Sequence, residues 1–290
     1  MFPRALIFVL VSMSFAAADD VNPPAEGHLF GVRSLGMSGA VVGSGLGAHA
    51  LFHNPAGVVG RLKTEVIAGV LRLSFDRTTS WVGGLYHGKK WCLSLAWSSV
   101  GVSDVPLRST DGVLLGHDSW RSHRIGIGYS RMLSFLTFVG AEVHYVRNEM
   151  PDHPGNGFGA DLGVVRLILP PLLSVGCAVN DVASFVRYGN SDRTEMIRPK
   201  VTAAVVLGFA EGRVRFEWDF SRRIGSSEWS HVVGLELRPN DTIVLWSGYG
   251  EDGVSAGLGV SVGSIAVGFS GIPDELSDDP GRGVEVRWRR

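Results

Sequence analysis

Charged and apolar side chains alternate in the stretch Arg213-Val214-Arg215-Phe216-Glu217-Trp218-Asp219-Phe220. Successive side chains of a β-strand point to opposite faces of the sheet, so this stretch predicts a strand with one ionic and one apolar face. The apolar face carries four bulky residues, Val214, Phe216, Trp218 and Phe220. Such a face needs either a protein core or lipid beside it, so a soluble sandwich and a membrane barrel both remain open.

The same period of two recurs along the chain. Apolar residues alternate with small or charged ones in residues 91–98, 254–262 and 284–289. Taken together, these patterns predict 14 strands. The predicted strands are 62–75, 78–87, 90–100, 121–131, 134–147, 156–168, 172–181, 196–209, 213–220, 229–238, 242–249, 254–262, 264–270 and 282–289.

Loop lengths favour the barrel over the sandwich. Every second predicted connection is short, whereas most of the others are long and polar, as in 101–120, 148–155, 182–195, 221–228 and 271–281. Outer-membrane barrels have tight periplasmic turns and longer loops outside, and an even strand count returns both termini to the periplasmic side. The fold class predicted is therefore all-β, a 14-stranded antiparallel transmembrane barrel whose strands close on themselves because lipid offers no hydrogen-bond partners.

Composition agrees with a lipid-facing chain. Of the 290 residues 45% are apolar, only 19% are charged and 39 are glycine. A net charge of -1 removes the usual electrostatic case for a nucleic-acid partner. After the N-terminus no apolar run reaches 18 residues, which excludes a helical membrane protein.

The N-terminus predicts export. Residues 1–18 resemble a secretory signal peptide, with Arg4, an apolar core and the run Ala16-Ala17-Ala18 as cleavage site. Sec export and a place in the bacterial outer membrane follow as expectations. Cys92 and Cys177 fall on opposite strand faces, so we expect two free thiols.

Residues 28–60 lack the strand period and are rich in small and apolar side chains. Because it precedes the predicted barrel, we expect this segment to fold inside the lumen. We therefore divide the chain into a signal peptide (1–18), a hatch or plug segment (19–60) and the barrel (61–290).

Two parts of that segment resemble a known signature. The run from Gly31 to Ala40 and the run Ala50-Leu51-Phe52-His53-Asn54-Pro55-Ala56-Gly57 are similar to the N-terminus of the FadL-like outer-membrane proteins. That superfamily includes transporters of long-chain fatty acids and hydrocarbons, the PorV proteins of a secretion system and uncharacterised spirochaete barrels. Residues 159–163 and 234–236 are similar to the PorV-type branch.

The resemblance implies a 14-stranded barrel with a hatch that carries Asn54, Pro55 and Ala56. It also implies passage of a hydrophobic ligand, such as a long-chain fatty acid, through the lumen and past the hatch. We expect binding to depend on apolar residues near the hatch, namely Phe30, Leu35, Met37, Leu51 and Phe52. The alternative is a PorV-like shuttle or partner protein that docks secretion-system proteins and transports nothing.

Six charged residues are predicted to face the lumen: Asp161, Arg213, Arg215, Glu217, Asp219 and Glu236. They are interpreted as a neutralising network that fills the barrel interior, the other interpretation being selectivity for a polar solute. The partners expected are thus outer-membrane lipid, a hydrophobic ligand and, in the alternative, secretion-system proteins.

Three chemical motifs are interpreted as chance matches. Ser255 lies in a G-x-S-x-G pattern, but strand alternation continues past it where a nucleophile elbow needs a helix. Residues 248–253 spell a G-x-G-x-x-G pattern with two acidic residues and no following helix. His49 and His53 have helical spacing but lack an evident third ligand. The sequence predicts no enzyme, no metal and no cofactor.

Overall fold

A computed structural model describes residues 30–44, 47–58, 64–150, 154–189, 194–274 and 276–290. Sixteen strands lie in these ranges, with one short α-helix, α1 (Val32–Gly36), and 3₁₀ turns at Gly47–Ala50, Pro55–Val58 and Ala210–Gly212. The strands are β1 (Thr64–Arg72), β2 (Arg77–His87), β3 (Trp91–Arg108), β4 (Leu114–Ser134), β5 (Thr137–Glu149), β6 (Gly155–Leu169), β7 (Leu173–Asn180), β8 (Ser184–Tyr188), β9 (Thr194–Ile197), β10 (Lys200–Phe209), β11 (Val214–Arg223), β12 (Ser230–Leu237), β13 (Ile243–Gly250), β14 (Gly253–Val262), β15 (Ile265–Asp274) and β16 (Ser277–Arg289). None of the helices described is long and apolar enough to span a membrane.

Fourteen of the strands close into an antiparallel ring, which confirms the predicted fold. Each strand of the ring pairs with its neighbour in the chain, β7 pairs with β10, and β16 returns to β1 with Val286 opposite Ala68. Because the ring is closed, it has no edge strand with unpaired backbone groups. Lipid offers no hydrogen-bond partners, so a sheet in a membrane must close in this way. Thr64 and Arg290 exchange backbone hydrogen bonds at one end of the ring, named here the terminal end.

The opposite end, named here the hairpin end, differs from the prediction. Residues 101–108 and 114–120, predicted as a polar loop, extend β3 and β4 into a projecting hairpin. The predicted loop 182–195 contains β8 and the start of β9; β8 pairs with β9 and with the first residues of β6, Gly155 to Phe158. Most of the predicted loop 271–281 is also strand. The loop interpretation was wrong because antiparallel pairing satisfies the backbone of polar segments as well as apolar ones.

The wall has two unlike faces, as the alternation predicts. On β3 the outward residues Leu93 and Leu95 are 47% and 57% exposed, while Cys92 and Ser94, which alternate with them, are buried. On β11 Trp218 points outward, whereas Glu217 and Asp219 are buried. The same outward exposure is shared by Val66, Ile125, Ile127, Val143, Phe158, Leu162, Leu207, Leu235, Leu258, Phe269, Val284 and Val286. An apolar exterior around a polar interior is the inverse of a soluble fold and suits lipid.

The N-terminal segment packs against the inner face of the ring. Helix α1 contacts β13 to β16, and the turn Pro55–Val58 contacts β4 to β6. Residues 30–44 and 47–58, together called the plug from here on, therefore lie in the lumen. Cys92 and Cys177 are free thiols on opposite faces, in agreement with the expectation. The predicted signal peptide and the rest of 1–29 lie outside the described residues.

Candidate functional site

The plug is held by carboxylates that project inward from the wall. Asp219 accepts hydrogen bonds from the backbone N–H groups of Val41 and Val42, both at 3.0 Å. Two residues away on the same face of β11, Glu217 accepts from the N–H of Gly43 at 2.6 Å and of Ser44 at 3.0 Å. The Ser44 hydroxyl donates to the other Glu217 oxygen. One strand thus binds four consecutive amides of the plug, and strand alternation is what sets the spacing of its two carboxylates.

Arg33 fixes the plug to a second strand. Its Nε donates to Glu236 Oε2 on β12 at 2.7 Å, and its Nη2 donates to Ser44 Oγ at 2.6 Å. Arg33 is 3% exposed and Glu236 is 1% exposed, so both charged groups are desolvated. Trp246 also donates to Glu236, at 3.2 Å. A buried charge is tolerated only with partners of this kind, so loss of either partner would be costly.

Asn54 organises the turn that carries the predicted Asn-Pro-Ala element. It is fully buried, its side-chain amide donates to the Val42 carbonyl at 2.8 Å, and its Oδ1 accepts from the Ala56 N–H at 3.0 Å. Pro55 and Ala56 begin the 3₁₀ turn Pro55–Val58 that rests on β5 and β6. Asn54, Pro55 and Ala56 therefore shape the plug rather than line a cavity.

Inward glycines allow the plug backbone to touch the wall. A Cβ at Gly140 would overlap the Pro55 carbonyl, and a Cβ at Gly248 would overlap the Met37 carbonyl group. No other residue type permits backbones to approach so closely. Part of the high glycine content therefore reflects the fit between plug and wall.

The predicted apolar residues of the plug fall into two groups. Phe30, Leu35, Met37 and Leu51 are at most 5% exposed and belong to the core between plug and wall, which also contains Trp81. Phe52 is half-buried and borders the outer cavity, and its ring lies 5.2 Å from that of Phe30. Of the five side chains expected to contact ligand, only Phe52 is both partly exposed and on the lining of a cavity.

Two cavities lie on either side of the plug. The outer cavity, at the hairpin end, has a volume of about 280 Å³. Its lining combines apolar residues such as Phe52 with three cations and four carboxylates, namely Arg124, Lys200, Arg223, Asp181, Asp219, Glu251 and Asp252. The inner cavity, at the terminal end, has a volume of about 310 Å³. Its lining includes Arg33, Arg215, Glu236 and the turn at Asn240.

A third polar cluster fills the wall beside the outer cavity. The Arg124 guanidinium donates to Glu142 at 2.8 Å and also to Asp161, and His144 Nε2 lies 3.3 Å from Asp181. Ligand atoms of Glu142, His144 and Asp161 lie within 4.8 Å of one another, a spacing that could hold a metal ion. Because Arg124 already bonds both carboxylates, its guanidinium supplies the positive charge that such an ion would bring.

The predicted ionic set is divided between these groups. Glu217, Asp219, Arg215 and Glu236 lie together, with Arg215 Nη1 3.7 Å from Glu236, whereas Asp161 belongs to the Arg124 cluster. Arg213 is exposed and donates to the Pro239 carbonyl, so it takes no part in either group. Ser255 bonds Ser38 of the plug, His49 contacts Arg287, and His53 donates to the Phe30 carbonyl.

The sequence analysis did not select three further inward carboxylates, which accept hydrogen bonds from the plug or from side chains of the wall. Glu65 accepts from the Ala48 N–H of the plug at 3.0 Å, Glu142 bonds Arg124, and Glu285 accepts from Trp81 Nε1 at 2.8 Å. Each is an inward acidic residue next to an outward apolar one: Val66 follows Glu65, Ala141 and Val143 flank Glu142, and Val284 and Val286 flank Glu285. That pattern is the signal that could have found them.

Comparison with solved structures gives the fold a precedent. The toluene transporter TbuX of Ralstonia pickettii superposes with a TM-score of 0.66 at 13% identity, over 90% of this chain and 98% of that one. The monoaromatic hydrocarbon channel CymD superposes with a TM-score of 0.67 at 11% identity, over 90% and 97%. A FadL homologue of Pseudomonas aeruginosa gives 0.55 at 11% identity, over 88% and 97%.

This chain has the FadL-type fold. At 11 to 13% identity the likeness concerns the backbone and not the ligand. No family model matches the sequence, and no curated protein matches it. The FadL-type fold is therefore supported by the closed ring and by the near-complete coverage of the hydrocarbon channels, independently of any sequence match.

Proposed function

We propose that this protein is an outer-membrane channel that admits small hydrophobic molecules, with its terminal end in the periplasm. The observation that carries this proposal is the apolar exterior of a closed ring whose lumen holds a plug. Solved structures with this backbone are named as toluene and monoaromatic hydrocarbon channels. The short turns of the wall and the two ends of the wall, Thr64 and Arg290, lie at the terminal end, in agreement with the orientation of outer-membrane barrels.

The outer cavity combines an aromatic side chain with charges of both signs. Phe52 provides apolar surface, and the charged lining has three cations, Arg124, Lys200 and Arg223, and four carboxylates, Asp181, Asp219, Glu251 and Asp252. Because the charges are of both signs, this lining gives no preference for an anionic ligand over an uncharged one. We propose hydrophobic molecules, of which a long-chain fatty acid is the first to test, as the ligand class.

Uptake of radiolabelled oleate by cells tests the proposal. Deletion of the gene should lower uptake, and a plasmid copy should restore it. Phe52→Asn removes apolar surface from the outer cavity and should lower uptake about tenfold, the effect of losing roughly one buried aromatic contact. Phe135→Asn is the matched control, because Phe135 is 86% exposed in a turn and should change nothing. Unchanged uptake after deletion would contradict a channel for this ligand.

A specific feature supports the PorV-like alternative, a protein that docks partners. The β3–β4 hairpin projects from the ring and exposes Leu107, Val113, Leu114 and Leu115, the last at 68%. Exposed apolar clusters of this kind often mark protein contact sites. In the uptake experiment, unchanged uptake together with cross-linking of a secreted protein to this hairpin would favour the alternative.

A further inference from the structure

The inner cavity is lined mainly by arginine. Five guanidinium groups border its volume of about 310 Å³, those of Arg33, Arg215, Arg238, Arg287 and Arg289. The acidic residues on the same lining are Glu65, Glu236 and Asp241. With His49 neutral, the surface of the cavity therefore carries about two more positive than negative charges. A concave, partly buried surface with that excess concentrates anions.

The arginines outnumber the acceptors that they can reach. Glu236 alone serves three of them, with Arg33 at 2.7 Å, Arg238 at 2.9 Å and Arg215 at 3.7 Å. Glu65 is engaged by the Ala48 N–H of the plug at 3.0 Å. A carboxylate offers about four lone-pair sites, whereas each guanidinium has five donors, so donors remain in excess.

Two further carboxylates lie behind this lining and already have donors. Glu217 receives the Gly43 and Ser44 amides and lies 4.0 Å from Arg33 Nη2. Glu285 receives the Trp81 indole N–H. Both lower the local potential, but their hydrogen bonds are directed to the plug and the wall.

Two unpaired guanidinium N–H groups indicate where an anion would bind in the cavity. Arg33 Nη1 and Arg287 Nε are buried and have no hydrogen-bond partner among the described residues, and the acceptor Glu236 Oε1 on the same lining has ion-pair neighbours but no hydrogen bond. Arg33 is 3% exposed, and both residues border the cavity. Buried donors are nearly always paired, so an orphaned guanidinium N–H in a cationic cavity indicates an absent acceptor.

The cavity can be reached from the terminal end. Its rim includes the turn residues Asn240 and Thr242, and the Arg238 side chain is 47% exposed. Trp246 and Val244 contribute apolar surface deeper in. A small molecule with charged oxygens at the arginines and carbon atoms against Trp246 would satisfy this lining.

We propose that the inner cavity is a binding site for a small oxyanion with two negative charges, of the phosphate or dicarboxylate class. Paired oxygens suit the fork of guanidinium donors, and a second charged group lets the anion reach a second arginine of the lining. The site lies on the opposite side of the plug from the outer cavity. It does not depend on the passage of hydrophobic molecules.

Calorimetric titration of the full chain in detergent tests the site. Inorganic phosphate and succinate are the dianionic probes, and chloride and acetate are the monoanionic ones. We expect phosphate or succinate to bind at least about tenfold more tightly than acetate, which has one carboxylate for the same donors.

Arg289→Gln and Arg287→Gln should each weaken that binding about tenfold, the cost of one charge-assisted contact. Arg131→Gln, an exposed arginine of β4 outside the cavity, is the matched control and should leave binding unchanged.

Circular dichroism and size-exclusion chromatography of each variant separate loss of the site from loss of the fold. If Arg287→Gln fails to fold, the partly exposed Arg289 supplies the test alone. Failure of both dianions to bind at millimolar concentration would overturn the proposal. Equal affinity for acetate and succinate, or equal weakening by Arg131→Gln, would overturn it as well.

Discussion

Glu217→Ala is expected to release the plug from β11 and convert a closed barrel into one that conducts ions. The wild-type carboxylate receives the Gly43 and Ser44 amides, the Ser44 hydroxyl and the electrostatic attraction of Arg33. Its removal leaves these donors unpaired in a dry interior. Breaking a buried pair in this way costs roughly 3–5 kcal/mol, which changes a docking equilibrium by two orders of magnitude or more.

Planar-bilayer recording and limited proteolysis measure the release. We expect Glu217→Ala to raise conductance above wild type and to expose Arg33 to trypsin. Glu217→Gln should give an intermediate result because its carbonyl oxygen can still accept from the amides. Glu228→Ala removes an exposed carboxylate outside the barrel lumen and should behave as wild type. A Glu217→Ala protein as closed and as protease-resistant as wild type would contradict the role assigned to this carboxylate.

Leu95→Arg is expected to destabilise the protein only in a membrane. Leu95 lies on the outward face of β3 and is 57% exposed. An arginine on the lipid face of a barrel costs about 2–4 kcal/mol at mid-depth. Leu107→Arg is a matched control on the same strand, because Leu107 is 44% exposed on the projecting hairpin and should tolerate a charge.

Urea unfolding of the reconstituted variants measures the difference. The free energy of unfolding should fall by about 2–4 kcal/mol for Leu95→Arg and by less than about 1 kcal/mol for Leu107→Arg. Equal effects at the two leucines would mean that β3 has no lipid-facing segment.

Alternation was sufficient to predict the wall from the sequence. In residues 213–220 it placed Trp218 outward and Glu217 inward, and both positions are confirmed. The reason is that strand geometry assigns a face from position alone, without knowledge of the partner strand. The count of 14 strands in the ring follows from the same rule applied repeatedly.

The alternation of apolar and polar residues did not predict the strand pairing outside the 14-strand ring. β8 and β9 are only five and four residues long, and the pairing of β8 with β6 joins residues about 30 positions apart in the chain, as in Gly155 with Tyr188. The plug was recognised only by its lack of a strand period. Which amide meets which carboxylate, as in Val41 with Asp219, depends on three-dimensional docking that no local pattern encodes.

The ligand-contacting residues were the least predictable part of the site. Met37 and Leu51 have the apolar character expected of a ligand site, yet they are buried in the contact between plug and wall. Apolar character cannot distinguish a side chain that packs from one that lines a cavity. The inner cavity could not be predicted because its arginines come from distant parts of the chain, as with Arg33 in α1, Arg215 in β11 and Arg289 in β16.

The orientation of the wall in lipid is the central claim, and fluorescence quenching by brominated acyl chains tests it most directly. Variants that retain one of the eight tryptophans, with the others replaced by phenylalanine, would be reconstituted after their fold is checked by circular dichroism. Trp218 is 41% exposed on the outer face, whereas Trp81 is fully buried on the inner face. We predict strong quenching of Trp218 and none of Trp81. Quenching of both to the same extent, or of Trp81 alone, would contradict a closed barrel with its apolar face in the membrane.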